Sequence, residues 1–228
     1  QEIVRQRNAF LSVMLQLTLL LTVVCVGACL ASREIVIVVL GEKWVDAIPL
    51  LQILALAALF TYLGSIGAMV CEATGKLNPR LVLQIIHVIL LPILFFTFRA
   101  YGAVGFAISV LLGEVFRYVS YLYIMRGYFE LSMRDLIEFH KPAFGAALFL
   151  ILLLFPVGKI MFDYEGSTIV ILLLKVTLGL VVLIAVALWP KSASRNEVER
   201  MISHVVKNSN SDSVVTRMLA KLNFSLLF

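Results

Sequence analysis

Four side chains capable of polar chemistry follow one another at intervals of one to three residues within an apolar stretch of the chain: Glu114, Arg117, Tyr118 and Tyr121. On a helix with about 100° per residue they lie at about 0°, −60°, 40° and −20°, so they share a sector of about 100°. A guanidinium can hold a phosphate oxygen bidentately, and a tyrosine offers a flat ring with a hydroxyl to a sugar. We call these four residues the polar stripe and treat them as a candidate binding site.

The elements that must position the stripe are membrane-spanning helices. The chain has 228 residues and is 61% hydrophobic and 14% charged, against roughly 45 to 50% and about 25% in soluble domains. Its long apolar runs can each cross a hydrocarbon core of about 30 Å, and none alternates in polarity as a barrel strand would. We predict an all-α polytopic membrane protein with six transmembrane helices, at about 10–31, 49–70, 81–98, 103–125, 143–161 and 168–189.

Lys and Arg residues are distributed unequally between the two ends of these spans. Thirteen lie on the side of the N-terminus and four on the other side, and Arg117 and Lys175 inside the spans complete the 19. Because short cytoplasmic loops carry the excess of cations, both termini are predicted to be cytoplasmic. The net charge of +5 therefore reflects membrane topology, and no nucleic-acid partner is expected.

The chain divides into a transmembrane domain at 1–190 and a polar cytoplasmic tail at 191–228. Apolar residues at helical spacing in the tail favour short amphipathic helices on the membrane surface. A low-complexity segment between them favours disorder, and both interpretations of the tail stay open.

The depth of the stripe makes its charges costly. Glu114 is eleven residues from either end of its span, which is about 16 Å from both surfaces at 1.5 Å per residue. An ionisable group at such a depth costs roughly 2.5 to 3.5 kcal/mol and demands a partner or a function. Either Glu114 and Arg117 form a buried pair that fixes helix packing, or the stripe lines a hydrated cavity that binds a ligand.

Other groups inside the spans are weaker candidates. His87 is interpreted as a hydrogen-bonded packing residue, and Gly64 and Gly67 as a close-packing surface. Lys175, about 10 Å deep at 1.5 Å per residue, is expected to extend its ammonium group to the interface. No metal-ligand spacing, phosphate loop or catalytic motif occurs, so the sequence predicts neither an enzyme nor a cofactor.

Three short motifs occur in a set order along the chain. A Gly-x-x-Trp turn at 41–44 follows an apolar stretch and leads into the second span, Ala-Thr-Gly-Lys at 73–76 follows that span, and Tyr-Gly-Ala-Val-Gly-Phe-Ala at 101–107 opens the fourth. In order and spacing, over about residues 3–126, they resemble the polysaccharide transporters and O-unit flippases of the multidrug, oligosaccharidyl-lipid and polysaccharide exporter superfamily.

The resemblance implies a bacterial inner-membrane protein with twelve or fourteen helices in two bundles around a cavity. Such proteins translocate an undecaprenyl-pyrophosphate-linked oligosaccharide to the outer leaflet by alternating access, for lipopolysaccharide or exopolysaccharide synthesis. It further implies that the chain is the C-terminal part of such a flippase, with the last two spans as a peripheral pair. The implied partners are the lipid-linked oligosaccharide, membrane lipids and a missing N-terminal helical bundle.

The leading hypothesis is a lipid-linked oligosaccharide flippase. In it, Arg117 attracts the pyrophosphate, Glu114 balances the charge, and Tyr118 and Tyr121 contact sugar. Alternatives are a drug or ion antiporter of the same superfamily, an integral-membrane glycosyl- or acyltransferase, and a structural membrane subunit. Ion-coupled efflux of small cations would identify the antiporter, and product formation by the purified protein would identify the transferase.

Overall fold

The structure is a computed structural model that describes residues 2–75, 77–129, 133–163 and 167–188. These residues contain no strand and form seven α-helices, which confirms the all-α class. The helices are α1 (Glu2–Leu30), α2 (Ser32–Val39), α3 (Ile48–Ala73), α4 (Leu77–Phe98), α5 (Gly102–Phe129), α6 (Met133–Asp163) and α7 (Thr168–Leu188). Short 3-10 helices precede α3 (Glu42–Ala47) and α5 (Arg99–Tyr101). The tail predicted at 191–228 lies outside the described residues.

Each predicted span coincides with a helix over most of its length. Within the described ranges, four helical runs are long and apolar enough to cross a bilayer, or five if the bent pair α1–α2 is one span. The run Leu77–Phe129 contains two spans, α4 and α5. As one straight helix its 53 residues would extend about 80 Å, far more than a hydrocarbon core of about 30 Å. Several helices continue beyond the predicted spans, since helical turns in water need no apolar pattern; α6, for example, begins at Met133.

The helices α4 and α5 form an antiparallel hairpin. The rings of Phe95 and Phe106, on either side of the connecting turn, meet edge to face with centroids 5.4 Å apart. Gly102 has a φ of 59° at this turn, and a Cβ at Gly105 would come within 2.0 Å of the carbonyl oxygen of Phe98. The glycines of the motif at 101–107 are therefore required by the close reversal of the chain.

The described helices pack around two apolar cores. α3 contacts α1 and α5, α4 contacts α5 and also touches α3, and α6 and α7 pack on α1. The first core includes Met14, Leu63, Leu83, Tyr118 and Met125, and the second Val23, Leu150, Leu154 and Val182. Large apolar side chains on the outer faces, such as Leu81 and Ile85, are exposed, as expected for helices that face lipid. The stripe on α5 therefore faces α3 and α4 for most of its length, and Tyr118 meets His140 of α6.

The prediction that Lys175 reaches the interface is wrong. Its side chain is 6% exposed, and its Nζ donates to Glu34 Oε1 at 2.7 Å and to the carbonyl oxygen of Leu30 at 2.9 Å. The chain bends by 63° between α1 and α2, so Leu30 lies at a helix end, where carbonyls lack helical partners and attract cations. The bend places Glu34 against α7, which the local sequence of α7 does not reveal.

We expect Lys175→Met to lower the free energy of unfolding by about 3 to 5 kcal/mol, because it leaves a buried carboxylate without its cation. Thermal unfolding in detergent measures the change. The double variant Lys175→Met with Glu34→Gln should recover part of the loss. Val176→Met, on the exposed face of the same helix, should unfold like wild type. A Lys175→Met protein as stable as wild type would contradict the buried pair.

Candidate functional site

The polar stripe faces protein along most of its length. Glu114, Tyr118 and Tyr121 are buried, and Arg117 is half-buried. α5 presents this sector to α3 and to its hairpin partner α4, while residues such as Phe116 and Val119 on the other side are exposed. The helix is oriented in this way because lipid offers no hydrogen-bonding group to a charge.

Glu114 and Arg117 form the pair that their spacing predicts. Arg117 Nη2 lies 2.5 Å from Glu114 Oε2, and the same nitrogen donates to the carbonyl oxygen of Thr61 on α3 at 3.2 Å. Ser65 Oγ also donates to the carbonyl of Thr61, at 2.8 Å. The guanidinium therefore joins α5 to α3 as well as neutralising the carboxylate.

Gly64 and Gly67 on α3 form a close-packing surface, as the sequence predicts, and the residues that pack on it belong to the stripe. A Cβ at Gly67 would lie 2.6 Å from Tyr121 Cβ, and a Cβ at Gly64 would lie 3.4 Å from Arg117 Nε. Small residues allow membrane helices to approach closely. Here they also make room for a guanidinium and a phenol ring between two helix backbones.

A cleft of about 260 Å³ opens beside the stripe, between α3, α4 and α5. Its polar lining consists of Arg117, Tyr121, Ser65, Glu72, Arg80 and Gln84. Arg80 pairs with Glu72 where α3 turns into α4, on the side that is predicted to be cytoplasmic. Two guanidinium groups, one carboxylate and several neutral hydrogen-bonding groups make the cleft suited to an anion that also carries hydroxyl groups.

Tyr118 lies outside the lining of the cleft and is buried against α6. Nδ1 of His140 lies 2.6 Å from the carbonyl oxygen of Leu136, to which it must donate, so His140 Nε2 accepts a hydrogen bond from the Tyr118 hydroxyl. The ring of Tyr118 also packs against Phe60, with centroids 5.9 Å apart. Glu114 likewise lies behind the lining. The structure thus brings Arg117 and Tyr121 to the cleft and places Glu114 and Tyr118 in supporting positions.

His87 is more closely connected to the stripe than the sequence indicates. It is 5% exposed on α4, and its Nε2 lies 3.7 Å from Glu114 Oε1. Its Nδ1 has no hydrogen-bond partner among the described residues. His87 and Glu114 face each other across the hairpin, as Phe95 and Phe106 do nearer the turn, because in each pair the two residues lie almost equally far from the turn at 99–101. A count of residues outward from that turn would therefore have predicted that His87 and Glu114 are neighbours.

The chemistry available at this site is binding and proton exchange. Within the described part of the chain, no group of three or more His, Cys, Asp or Glu residues is placed to hold a metal ion. The charged side chains in the lining of the cleft are two arginines and a glutamate, and Glu114 and His87 are buried behind them. Such a set can hold an anion and adjust its own charge.

Comparison with known proteins adds one relative. The chain is similar to an uncharacterized membrane protein in the cps region of Klebsiella pneumoniae, with 27% identity over 130 residues. The match covers 56% of this chain, which spans only 27% of the length of that relative. No protein-family model and no solved structure matches the chain. The similarity to this relative supports the prediction of a membrane protein. Membership of the flippase family stays a prediction.

We expect Gly67→Ala to lower the free energy of unfolding by about 1 to 3 kcal/mol, the usual cost of overpacking. The added Cβ would clash with the Cβ of Tyr121, which no side-chain rotation can move, so α3 and α5 must separate. Thermal unfolding in detergent provides the measurement. Gly145→Ala on α6 is the control, because nothing lies within 4 Å of its Cβ. Equal stability of the two variants would rule out the close contact of α3 with Tyr121.

Proposed function

We propose that this chain is part of a bacterial inner-membrane flippase that moves a pyrophosphate-linked lipid oligosaccharide to the outer leaflet for cell-surface polysaccharide synthesis. The observation that carries the proposal is the cleft between α3, α4 and α5. Arg80 and Arg117 both line it, together with Gln84 and Tyr121, inside a bundle of membrane helices. A pyrophosphate with an attached sugar offers the negative charge and the hydroxyl groups that such a lining binds.

The comparisons support the polysaccharide part of this proposal. The cps region in which the relative is found is a capsule-polysaccharide locus. The three motifs in the first half of the chain point independently to polysaccharide transporters and flippases. Because the chain spans 27% of the relative's length, we propose that a second helical bundle completes the transport path.

Each residue of the stripe has a distinct role in this account. Arg117 attracts a phosphate of the substrate, and Glu114, 2.5 Å from its guanidinium, compensates its charge while the cleft is empty. Tyr121 lies beside Arg117 in the lining and contacts the sugar. Tyr118 acts indirectly, because its bond to His140 holds α5 against α6. An electrostatic contact at this depth is stronger than in water, since the surrounding dielectric constant is low.

The hydrogen-bonding groups of the cleft distinguish this proposal from an antiporter for cationic drugs. Two guanidinium groups in the lining offer N–H donors to the oxygens of an anion, and Glu114 and Glu72 compensate their charge while the cleft is empty. The cleft also lies at the predicted cytoplasmic ends of α3 and α4. A substrate that moves to the outer leaflet must enter from that side.

Flipping of a fluorescent lipid-linked oligosaccharide in vesicles, with the full-length protein, tests the proposal. We expect Arg117→Ala to reduce the rate about tenfold or more, because a hydrogen bond to a charged group contributes about 1.5 to 3 kcal/mol. Glu114→Gln should also change the rate, since it leaves Arg117 uncompensated.

The matched control is Arg99→Ala. Arg99 lies at the opposite end of α4, over the ring of Phe96 with its guanidinium carbon 4.1 Å from the centroid. Its loss should leave flipping unchanged. Wild-type rates in both Arg117→Ala and Glu114→Gln would remove the site from the proposal.

A further inference from the structure

One carboxylate lies between two side chains that can carry positive charge. Glu114 Oε2 is 2.5 Å from Arg117 Nη2, and its other oxygen is 3.7 Å from His87 Nε2. The three groups come from both helices of the α4–α5 hairpin, close to the middle of the predicted bilayer. Arginine stays protonated under all ordinary conditions, whereas histidine is the side chain that ordinarily changes its charge near neutral pH.

The surroundings of His87 contain few other charges. On α5 it faces Glu114 and Arg117, and its ring lies against Gly113. The charged residues described on α3 and α4 are Glu72 and Arg80, which pair with each other at the cleft mouth. The described side chains of α1, from Met14 to Leu30, include no charged residue. Among the described charges, the pair on α5 is therefore the one that acts on His87 directly.

The Nδ1 atom of His87 is buried without a hydrogen-bond partner among the described residues. Buried polar atoms in native proteins nearly always have a partner, and exceptions often mark a functional group. The two ring nitrogens of His140, by contrast, both have hydrogen-bond partners. His87 directs Nε2 at a carboxylate, and its ring lies beside the backbone of Gly113.

We propose that His87 takes up a proton when an anion binds in the cleft. The inference rests on the proposed function, because the anion is the pyrophosphate of the lipid-linked substrate. With His87 neutral, the charges of Glu114 and Arg117 cancel, and the cluster has no net charge. An anion on Arg117 brings further negative charge beside Glu114, and a proton on His87 offsets one of these charges.

The proton balance of this step is simple. A proton donor in the water on the cleft side, hydronium or the buffer acid, gives up one proton and keeps the electron pair of the broken bond, and the proton bonds to an imidazole nitrogen. The imidazolium then pairs with Glu114, and Arg117 pairs with the anion. When the anion leaves, the proton returns to water. Each bound anion is accompanied by one proton.

Calorimetry on the full-length protein in detergent tests this coupling. The probe is a short-chain polyprenyl diphosphate sugar, a diester whose own charge does not change near neutral pH. Titrations in buffers of different ionisation enthalpy count the protons taken up. At about pH 8, where a free imidazole is mostly neutral, we expect close to one proton per bound probe. The Kd of the wild type should rise about tenfold per pH unit in that range.

Two variants make the result specific to His87. His87→Asn cannot take up the proton and should reduce the count to nearly zero, with a Kd that no longer depends on pH. His140→Asn, which removes another buried histidine on α6, should keep the wild-type count. An equal loss in both variants would overturn the assignment to His87.

Calorimetry on the wild-type protein alone distinguishes a failure of this inference from a failure of the proposed function. Binding without proton uptake would overturn this inference and leave the proposed function in place. No binding of the probe would overturn the proposed function and this inference with it. These outcomes hold even if a histidine variant fails to fold.

Discussion

The architecture around the candidate site depends on one constraint: a carboxylate deep in the membrane must be compensated by the protein itself. Glu114 cannot reach water from the middle of its span, so a cation must come to it. Arg117 provides that cation one turn away, at 2.5 Å. The guanidinium needs a further acceptor and space, which the Thr61 carbonyl and Gly64 on α3 provide. Packing of α3 against α5 follows from this requirement.

The same constraint explains the other end of the bundle. Glu34 and Lys175 are both 6% exposed and form an ion pair at 2.7 Å. The ammonium group also satisfies the end of α1, where the chain bends by 63°. The two ion pairs differ in surroundings, because the cleft adjoins Glu114 and Arg117 while Glu34 and Lys175 are enclosed. This difference favours a binding role for the first pair and a packing role for the second.

The sequence predicts those features that depend on local pattern. Apolar length located the helices, and angular spacing on one helix identified Glu114 and Arg117 as a pair. The sequence does not reveal contacts that depend on how helices meet. Lys175 looked like a residue able to reach the interface, because Glu34 lies outside the predicted spans and approaches α7 only through the bend at Ala31.

Similar reasons explain the other differences at the site. His87 appeared to be a packing residue until the α4–α5 hairpin placed it beside Glu114. Arg80 was one cation among several in a loop, and the turn between α3 and α4 brings it to the cleft. Tyr118 shares a helix face with Tyr121, yet its hydroxyl meets His140 on α6. Angular position on one helix does not determine which neighbour a side chain meets.

The central claim is that the cleft between α3, α4 and α5 holds the headgroup of a lipid-linked oligosaccharide. Photocrosslinking tests it most directly, with a probe that carries the reactive group next to its pyrophosphate and with the labelled peptides mapped by mass spectrometry. The account predicts labels in the segments of α3, α4 and α5 that line the cleft, around Glu72, Gln84 and Tyr121, and competition by unlabelled substrate. Labels confined to lipid-facing residues such as Leu81 or Val181, or unaffected by competitor, would contradict it.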